Sequence, residues 1–247
     1  MSADSDPSRR RFVRLCAATA ALAGAHPALF ARAAAGPQRR YERVRLVDER
    51  GRPVTAGNLR VGENYLFYYP YVTTPCFLLN LGRRTEPTAL RTEHGESYQW
   101  QGGIGPQRAI VAFSAICAHK LSHPAREVSF ITYRHDEATF RSATEQTTRR
   151  AQVIYCCSEK SVYDPLRGAA VLGGPATQPL TAILLEEGEN GALYATGTAG
   201  GELYDRFFER FSSRLALEFR TSDVRRPVSG STAVVPLAAY CRNQILC

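Results

Sequence analysis

The sequence predicts a mostly β domain closed by a C-terminal helix. Short apolar and aromatic runs recur through the middle of the chain. Gly, Pro and polar turns separate them, and after Gly201 the apolar spacing becomes helical.

Residues 37–60 are polar and Arg-rich and include "DERGRP", which reads as an opening strand with a turn. "NYLFYYPYV" (64–72) is aromatic and β-branched, a strand cut at Pro70, which has no N–H to donate. "PCFLLNLG" (75–82) is a second short apolar run ending in Gly. After a polar stretch, "GGIGPQ" (102–107) turns into "RAIVAFSAIC" (108–117), a buried strand carrying Cys117 to its tip. Those glycines make no dinucleotide fingerprint, because no strand-to-helix context follows them. Residues 134–150 are charged and polar, an inserted loop or hairpin. "AQVIYC" (151–156), "AAVLGGPATQPL" (169–180), "TAILLEE" (181–187) and "ALYATGT" (192–198) continue the strand–turn rhythm. "ELYDRFFERFSSRLALEF" (202–219) then sets Tyr204, Phe207, Phe208, Phe211, Leu215 and Phe219 mostly at helical spacing. Such aromatics are expected to fill core. The expected organisation is an N-terminal segment at 1–35, a domain at 36–200 and a helical extension at 201–247.

An apolar content of 44% over 247 residues is enough for a real core. The formal charge is +8, but the first 35 residues hold five Arg against Asp4 and Asp6, which leaves +5 for the remainder. That mild excess favours an acidic partner or an anionic membrane surface. The basic residues are scattered and not interleaved with aromatics, which argues against nucleic acid.

Ser8-Arg9-Arg10-Arg11-Phe12-Val13-Arg14 resembles the twin-arginine export consensus. An Ala/Leu-rich stretch from Leu15 to Phe30 follows, with small-residue cleavage candidates near Ala33 and Ala35. His26 and Pro27 interrupt it, so a permanent span, which needs about 20 apolar residues, fits poorly. The resemblance implies a periplasmic address and export in the folded state; a retained membrane tether is the second reading and a basic amphipathic helix the third. Six cysteines remain after residue 35, at 76, 117, 156, 157, 241 and 247. Spare thiols pair in an oxidising compartment, so Cys241 and Cys247, bracketing "CRNQILC", are expected to be oxidised, closing a terminal loop or each reaching elsewhere.

Two stretches carry chemistry. Cys117-Ala118-His119 offers a soft thiolate and a neutral imidazole from one tight loop. After 36 intervening residues comes Cys156-Cys157-Ser158-Glu159-Lys160-Ser161-Val162-Tyr163-Asp164-Pro165, and later Gly173-Gly174-Pro175-Ala176-Thr177-Gln178-Pro179-Leu180. Together these resemble the Rieske iron–sulfur proteins, which carry C-x-H, then C-x-x-H-G-S-x-[FY]-D, then a proline loop. The resemblance spans roughly residues 60–200. It implies a Rieske-like antiparallel β sandwich with a cluster-binding tip, and a 2Fe-2S cluster with two Cys on one iron and two His on the other.

The second loop departs from that pattern. Counted back from Asp164, the ligand cysteine is Cys156 and the second histidine is replaced by Glu159. A loop one residue shorter would instead pair Cys157 with Lys160. A carboxylate can ligate iron and a protonated ammonium cannot, which favours Glu159; His123 is a further candidate imidazole. Ser122 and Ser158 stand where the family's inter-loop disulfide would be. Ser161 and Tyr163 match the residues whose hydroxyls bond the cluster sulfurs. The metal candidates are thus Cys117, His119, Cys156 or Cys157, and Glu159.

A mononuclear oxygenase iron would need two more His and a carboxylate, but beyond the loops and residue 35 only His94 and His135 remain. The resemblance therefore implies an electron-transfer protein or subunit, working with a periplasmic cytochrome, a quinol-oxidising complex or a catalytic oxidoreductase subunit. A cluster-free scaffold or binding module on the same fold is the alternative. For the export motif the expected outcome is direct. Changing Arg9 and Arg10 to Lys retains the precursor in the cytoplasm, and unchanged periplasmic yield on fractionation would refute the assignment.

Overall fold

The computed structural model describes residues 37–247; the export-like segment lies outside the described residues. Strands β1 (Gln38–Val47), β2 (Tyr65–Tyr68) and β3 (Pro75–Asn80) come first. A hairpin of β4 (Thr88–Arg91) and β5 (Ser97–Trp100) precedes β6 (Ile110–Ser114). Next are β7 (Val128–Ser129), β8 (Ile131–Arg134), β9 (Ala138–Arg141), β10 (Thr147–Arg150), β11 (Val153–Cys156), β12 (Ser161–Asp164) and β13 (Ala170–Gly173). Strands β14 (Ala182–Glu187) and β15 (Leu193–Ala199) lead into helix α1 (Tyr204–Phe219). Beyond it lie β16 (Ser231–Ala233), β17 (Val235–Pro236), the one-turn helix α2 (Leu237–Tyr240) and β18 (Asn243–Gln244).

The protein is mostly β. Eight strands form one sheet in the order β16–β1–β15–β14–β6–β3–β2–β17, antiparallel except where β16 joins β1. A second, four-stranded sheet runs β13–β12–β11–β8. The chain leaves the large sheet at the end of β6, builds the small sheet, and returns at β14. Both candidate loops lie on this excursion.

The uninterrupted apolar runs of β3 and β6 follow from burial on both faces of the large sheet. Phe77, Leu79, Val111 and Phe113 enter a core shared with Ile131, Ile154 and Tyr163 of the small sheet. Cys76, Leu78, Ile110 and Ala112 enter a second core with Val44, Leu46 and Ile183. Alternate side chains of one strand thus serve two interiors.

Several expectations change in detail. The strand expected to carry Cys117 at its tip ends at Ser114, three residues earlier. There the Ile116 N–H turns to Ser114 Oγ and the Cys117 N–H to the Ser122 carbonyl, so Cys117 sits in a turn. The polar stretch before Gly102 hides the β4–β5 hairpin, and the insertion at 134–150 contains the β9–β10 hairpin. Residues 201–247 are more than a helical extension: β16 and β17 join the large sheet and β18 pairs with β7.

Helix α1 is the expected aromatic helix. Tyr204, Phe207, Phe208 and Leu215 are buried on one face. Tyr71 meets the rings of Tyr204 and Phe208 edge-on at 5.8 and 5.3 Å, and Tyr68 meets Phe219 at 5.1 Å. The helix ends at Arg220, in the left-handed region at φ 49°, whose N–H caps the Ala216 and Leu217 carbonyls. These aromatics fill core, as their spacing predicted. Truncating Phe208, which is 1% exposed, removes a ring at the centre of this contact. Phe208→Ala is expected to lower unfolding free energy by ~3–5 kcal/mol in a denaturant titration; a loss under ~1 kcal/mol would mean that the helix is not anchored there.

Candidate functional site

The first loop folds around Cys117. The Leu121 N–H bonds back to the Cys117 carbonyl at 3.0 Å, and the Cys117 N–H to the Ser122 carbonyl at 2.8 Å. The second loop is the β11–β12 hairpin turn, closed by the pairing of Cys156 with Ser161 and by Lys160 at φ 61°. The proline loop buttresses it. Gly174 (φ 80°) lies so close to the Lys160 carbonyl and Ser161 Cα that any side chain would collide with them, which makes glycine obligatory there.

Cys117, in the turn beyond β6, and Cys156, at the end of β11, are fully buried and are hydrogen-bonded to each other as free thiols. Each sulfur also accepts backbone N–H bonds from the residues two and three positions later. For Cys117 these are His119 and Lys120; for Cys156 they are Ser158 and Glu159. Both loops therefore wrap a sulfur in the same way. The Cys156 thiol donates to Cys117, and this bond, helped by Tyr163 and the N–H groups, holds Cys117 below the usual thiol range despite burial. Cys156 is pushed up, first by holding that proton and then by burial.

The Tyr163 hydroxyl accepts the Ala118 N–H at 3.1 Å and lies 3.3 Å from Cys117 Sγ. With its oxygen accepting from Ala118, its proton is free to serve the sulfur. Ser161 is fully buried and its Oγ has no partner; neither does the buried His119 Nδ1. Unpaired buried polar atoms are uncommon and costly. Here they border the thiol pair. Asp164, which follows Tyr163, is completely buried and bound by Arg150 at 2.5 Å, and it accepts the Leu166 N–H at 3.1 Å.

Glu159 ion-pairs with Lys120 of the first loop at 2.7 Å. Its carboxyl is held below the usual carboxylate range, first by the Lys120 hydrogen bond, with a smaller contribution from His119. His123 points elsewhere. Its Nδ1 lies 2.9 Å from the Leu121 carbonyl and its ring packs on Phe207 and Phe211, at 4.8 and 4.9 Å, on helix α1. It anchors the loop to the helix.

The two adjacent cysteines of the second loop differ in state. Cys157 is joined to Cys247, with Cα atoms 5.7 Å apart, so Cys157 has no thiolate to offer a metal. This also corrects the expected oxidation of Cys241. That thiol is free and buried, its sulfur 3.1 Å from the Asn243 carbonyl. Sequence reasoning missed the Cys157–Cys247 bond and the Lys120–Glu159 pair. The available signal was a second cysteine in the second loop beside a terminal one already expected to be oxidised.

No three His, Cys, Asp or Glu side chains among the described residues converge on a single ion. A binuclear cluster asks for two donors on each iron; Cys117 and Cys156 form one such pair, and the turns that hold them also carry His119 and Glu159, the latter bound to Lys120. The donor set, the N–H groups aimed at both sulfurs and the unpartnered Ser161 and His119 atoms fit that group.

No family model matches the chain. Among solved structures it is similar to the soluble domain of Rieske protein II from Sulfolobus acidocaldarius, at 24% identity with a TM-score of 0.43, over 64% of this chain and 78% of that one. The thiol assignment has a chemical readout. Alkylation of the denatured, unreduced protein followed by peptide mapping is expected to label Cys76, Cys117, Cys156 and Cys241 and to leave Cys157 and Cys247 linked. Finding Cys241 joined to Cys247 would overturn it.

Proposed function

We propose that the chain is an exported one-electron carrier, alone or as the carrier subunit of an oxidoreductase. In this reading it holds a 2Fe-2S cluster through Cys117 and Cys156 on one iron and His119 and Glu159 on the other. The observation that supports this most strongly is the pair of buried thiols, each with two backbone N–H groups directed at it. When bound, such a cluster takes up and releases one electron. The protein's part is to hold the thiolates dry, to direct hydroxyls at them and to set the potential. Tyr163 and Ser161 act to raise that potential. A carboxylate in place of a neutral imidazole acts to lower it, since histidine ligation lifts Rieske clusters above all-Cys ones. Lys120, ion-paired to Glu159 at 2.7 Å, offsets part of the added negative charge.

The twin-arginine-like motif supports a periplasmic address, and a folded-state export route suits a cluster inserted beforehand. The proposed partner is a periplasmic cytochrome, a quinol-oxidising complex or a catalytic oxidoreductase subunit, with membrane tethering if the N-terminal segment is retained. The rival reading, a cluster-free binding or scaffold module, draws on one observation: Glu159 already has a partner in Lys120.

Purified protein is expected to carry iron and acid-labile sulfide and to give a rhombic EPR signal on reduction. Colourless, iron-free protein from an export-competent host would select the rival. Glu159→His is expected to raise the reduction potential, on the order of 100 mV given the several-hundred-millivolt span between cluster types. Glu159→Ala is expected to lose the cluster. If both variants keep the parent potential and spectrum, Glu159 is not a ligand.

A further inference from the structure

Ser122 and Ser158 cannot tie the two loops together covalently, yet the structure contains another tie between the same two segments. After helix α2 the chain runs along the exit of the first loop. The Arg242 N–H bonds the Arg126 carbonyl at 2.9 Å, Asn243 and Gln244 pair in parallel with Val128 and Ser129, and the Ile245 N–H bonds the Ser129 carbonyl at 2.8 Å. Side chains reinforce the seam. The Arg242 guanidinium meets Glu127 at 3.0 Å, and Asn243 Nδ2 donates to the Glu127 carbonyl at 3.1 Å. Two residues after Ile245 the tail crosses to the second loop, where Cys247 is bonded to Cys157. Cys157 in turn donates its N–H to the Phe130 carbonyl at 2.7 Å, back on the segment that follows the first loop.

The last seven residues therefore bridge the two loops, by backbone pairing on one side and by a covalent bond on the other. The covalent end is the immediate neighbour of Cys156. Any movement of Cys157 away from Phe130 would carry the Cys156 thiol with it, away from Cys117. Cys247 is exposed and Cys157 half-buried, so a small reductant can reach the bond.

We infer that the C-terminal tail is a reducible clamp that holds the second loop against the first and so keeps Cys117 and Cys156 together. Cys157 and Cys247 act as positioning residues. Opening the clamp is ordinary thiol–disulfide exchange: a dithiol supplies two electrons and two protons, the Cys157–Cys247 bond breaks to two thiols, and the dithiol closes to a disulfide. The consequence for a cluster rests on the function proposed above; the clamp itself does not.

The test compares the full-length protein, the same protein treated with dithiothreitol, and the Cys157→Ser/Cys247→Ser variant, by hydrogen exchange with peptide resolution. Opening the clamp is expected to raise exchange about tenfold or more at 128–131 and 157–161 while strands β1, β14 and β15 are unchanged. Re-oxidation of the dithiothreitol-treated protein is expected to restore the slow rates. Opening a cross-link that only stabilised the chain globally would raise exchange in every strand alike, and that result, or unchanged exchange at the loops, would overturn the proposal. Should the double variant fail to fold, the reduced and re-oxidised protein decides the matter alone. In iron-loaded protein, opening is also expected to speed iron loss to a chelator about tenfold. If the protein binds no iron, the cluster reading falls and the exchange result still judges the clamp.

Discussion

The sulfurs of Cys117 and Cys156 meet in a water-free interior, one delivered by a turn beyond β6 of the large sheet and the other by the end of β11 of the small sheet. Two apolar layers can pack in many registers, but only a narrow set keeps these thiols in contact while their following N–H groups still reach them. Much of the surrounding structure serves that constraint. Tyr163 spans the gap by bonding both Ala118 and Cys117, Gly174 lets the proline loop press on the hairpin turn, and Arg150 neutralises Asp164 beneath it. Helix α1 secures the outer side through the ring of His123.

The buried thiols and the half-exposed residues beside them are held by different forces. The inner pair of thiols is fixed by burial and by backbone geometry, which do not depend on the side chain at position 159. The outer pair is half-exposed and held by charge, through Lys120 and Glu159. Ionic contacts at a surface contribute little to stability, so substitution there costs the fold almost nothing. It changes instead the charge around whatever the site binds.

The parts legible in the sequence were those with a local signature. Helix α1 showed in the spacing of its aromatics, β3 and β6 in their apolar runs, and the second loop's turn in the Ser161-x-Tyr163-Asp164 register. Strands β4, β5, β16, β17 and β18 did not show, because each spans only two to four residues, too few for alternation to stand out in the sequence. The disulfide was illegible for another reason. Cys157 and Cys247 are 90 residues apart, and their approach depends on β18 lying beside β7, a long-range pairing between two-residue strands with no local code. The pairing of Glu159 with Lys120 was illegible too, because it required knowing that the two loops face each other.

In the proposed function Cys117, Cys156, His119 and Glu159 bracket a pair of iron atoms. A crystal of the protein purified from an iron-replete host, with anomalous data collected on both sides of the iron absorption edge, tests it most directly. Two adjacent iron peaks are expected, one bounded by the Cys117 and Cys156 sulfurs and the other by the His119 ring and the Glu159 carboxylate. A map with no iron between the loops, or with iron bound by Cys157 or His123, would contradict it.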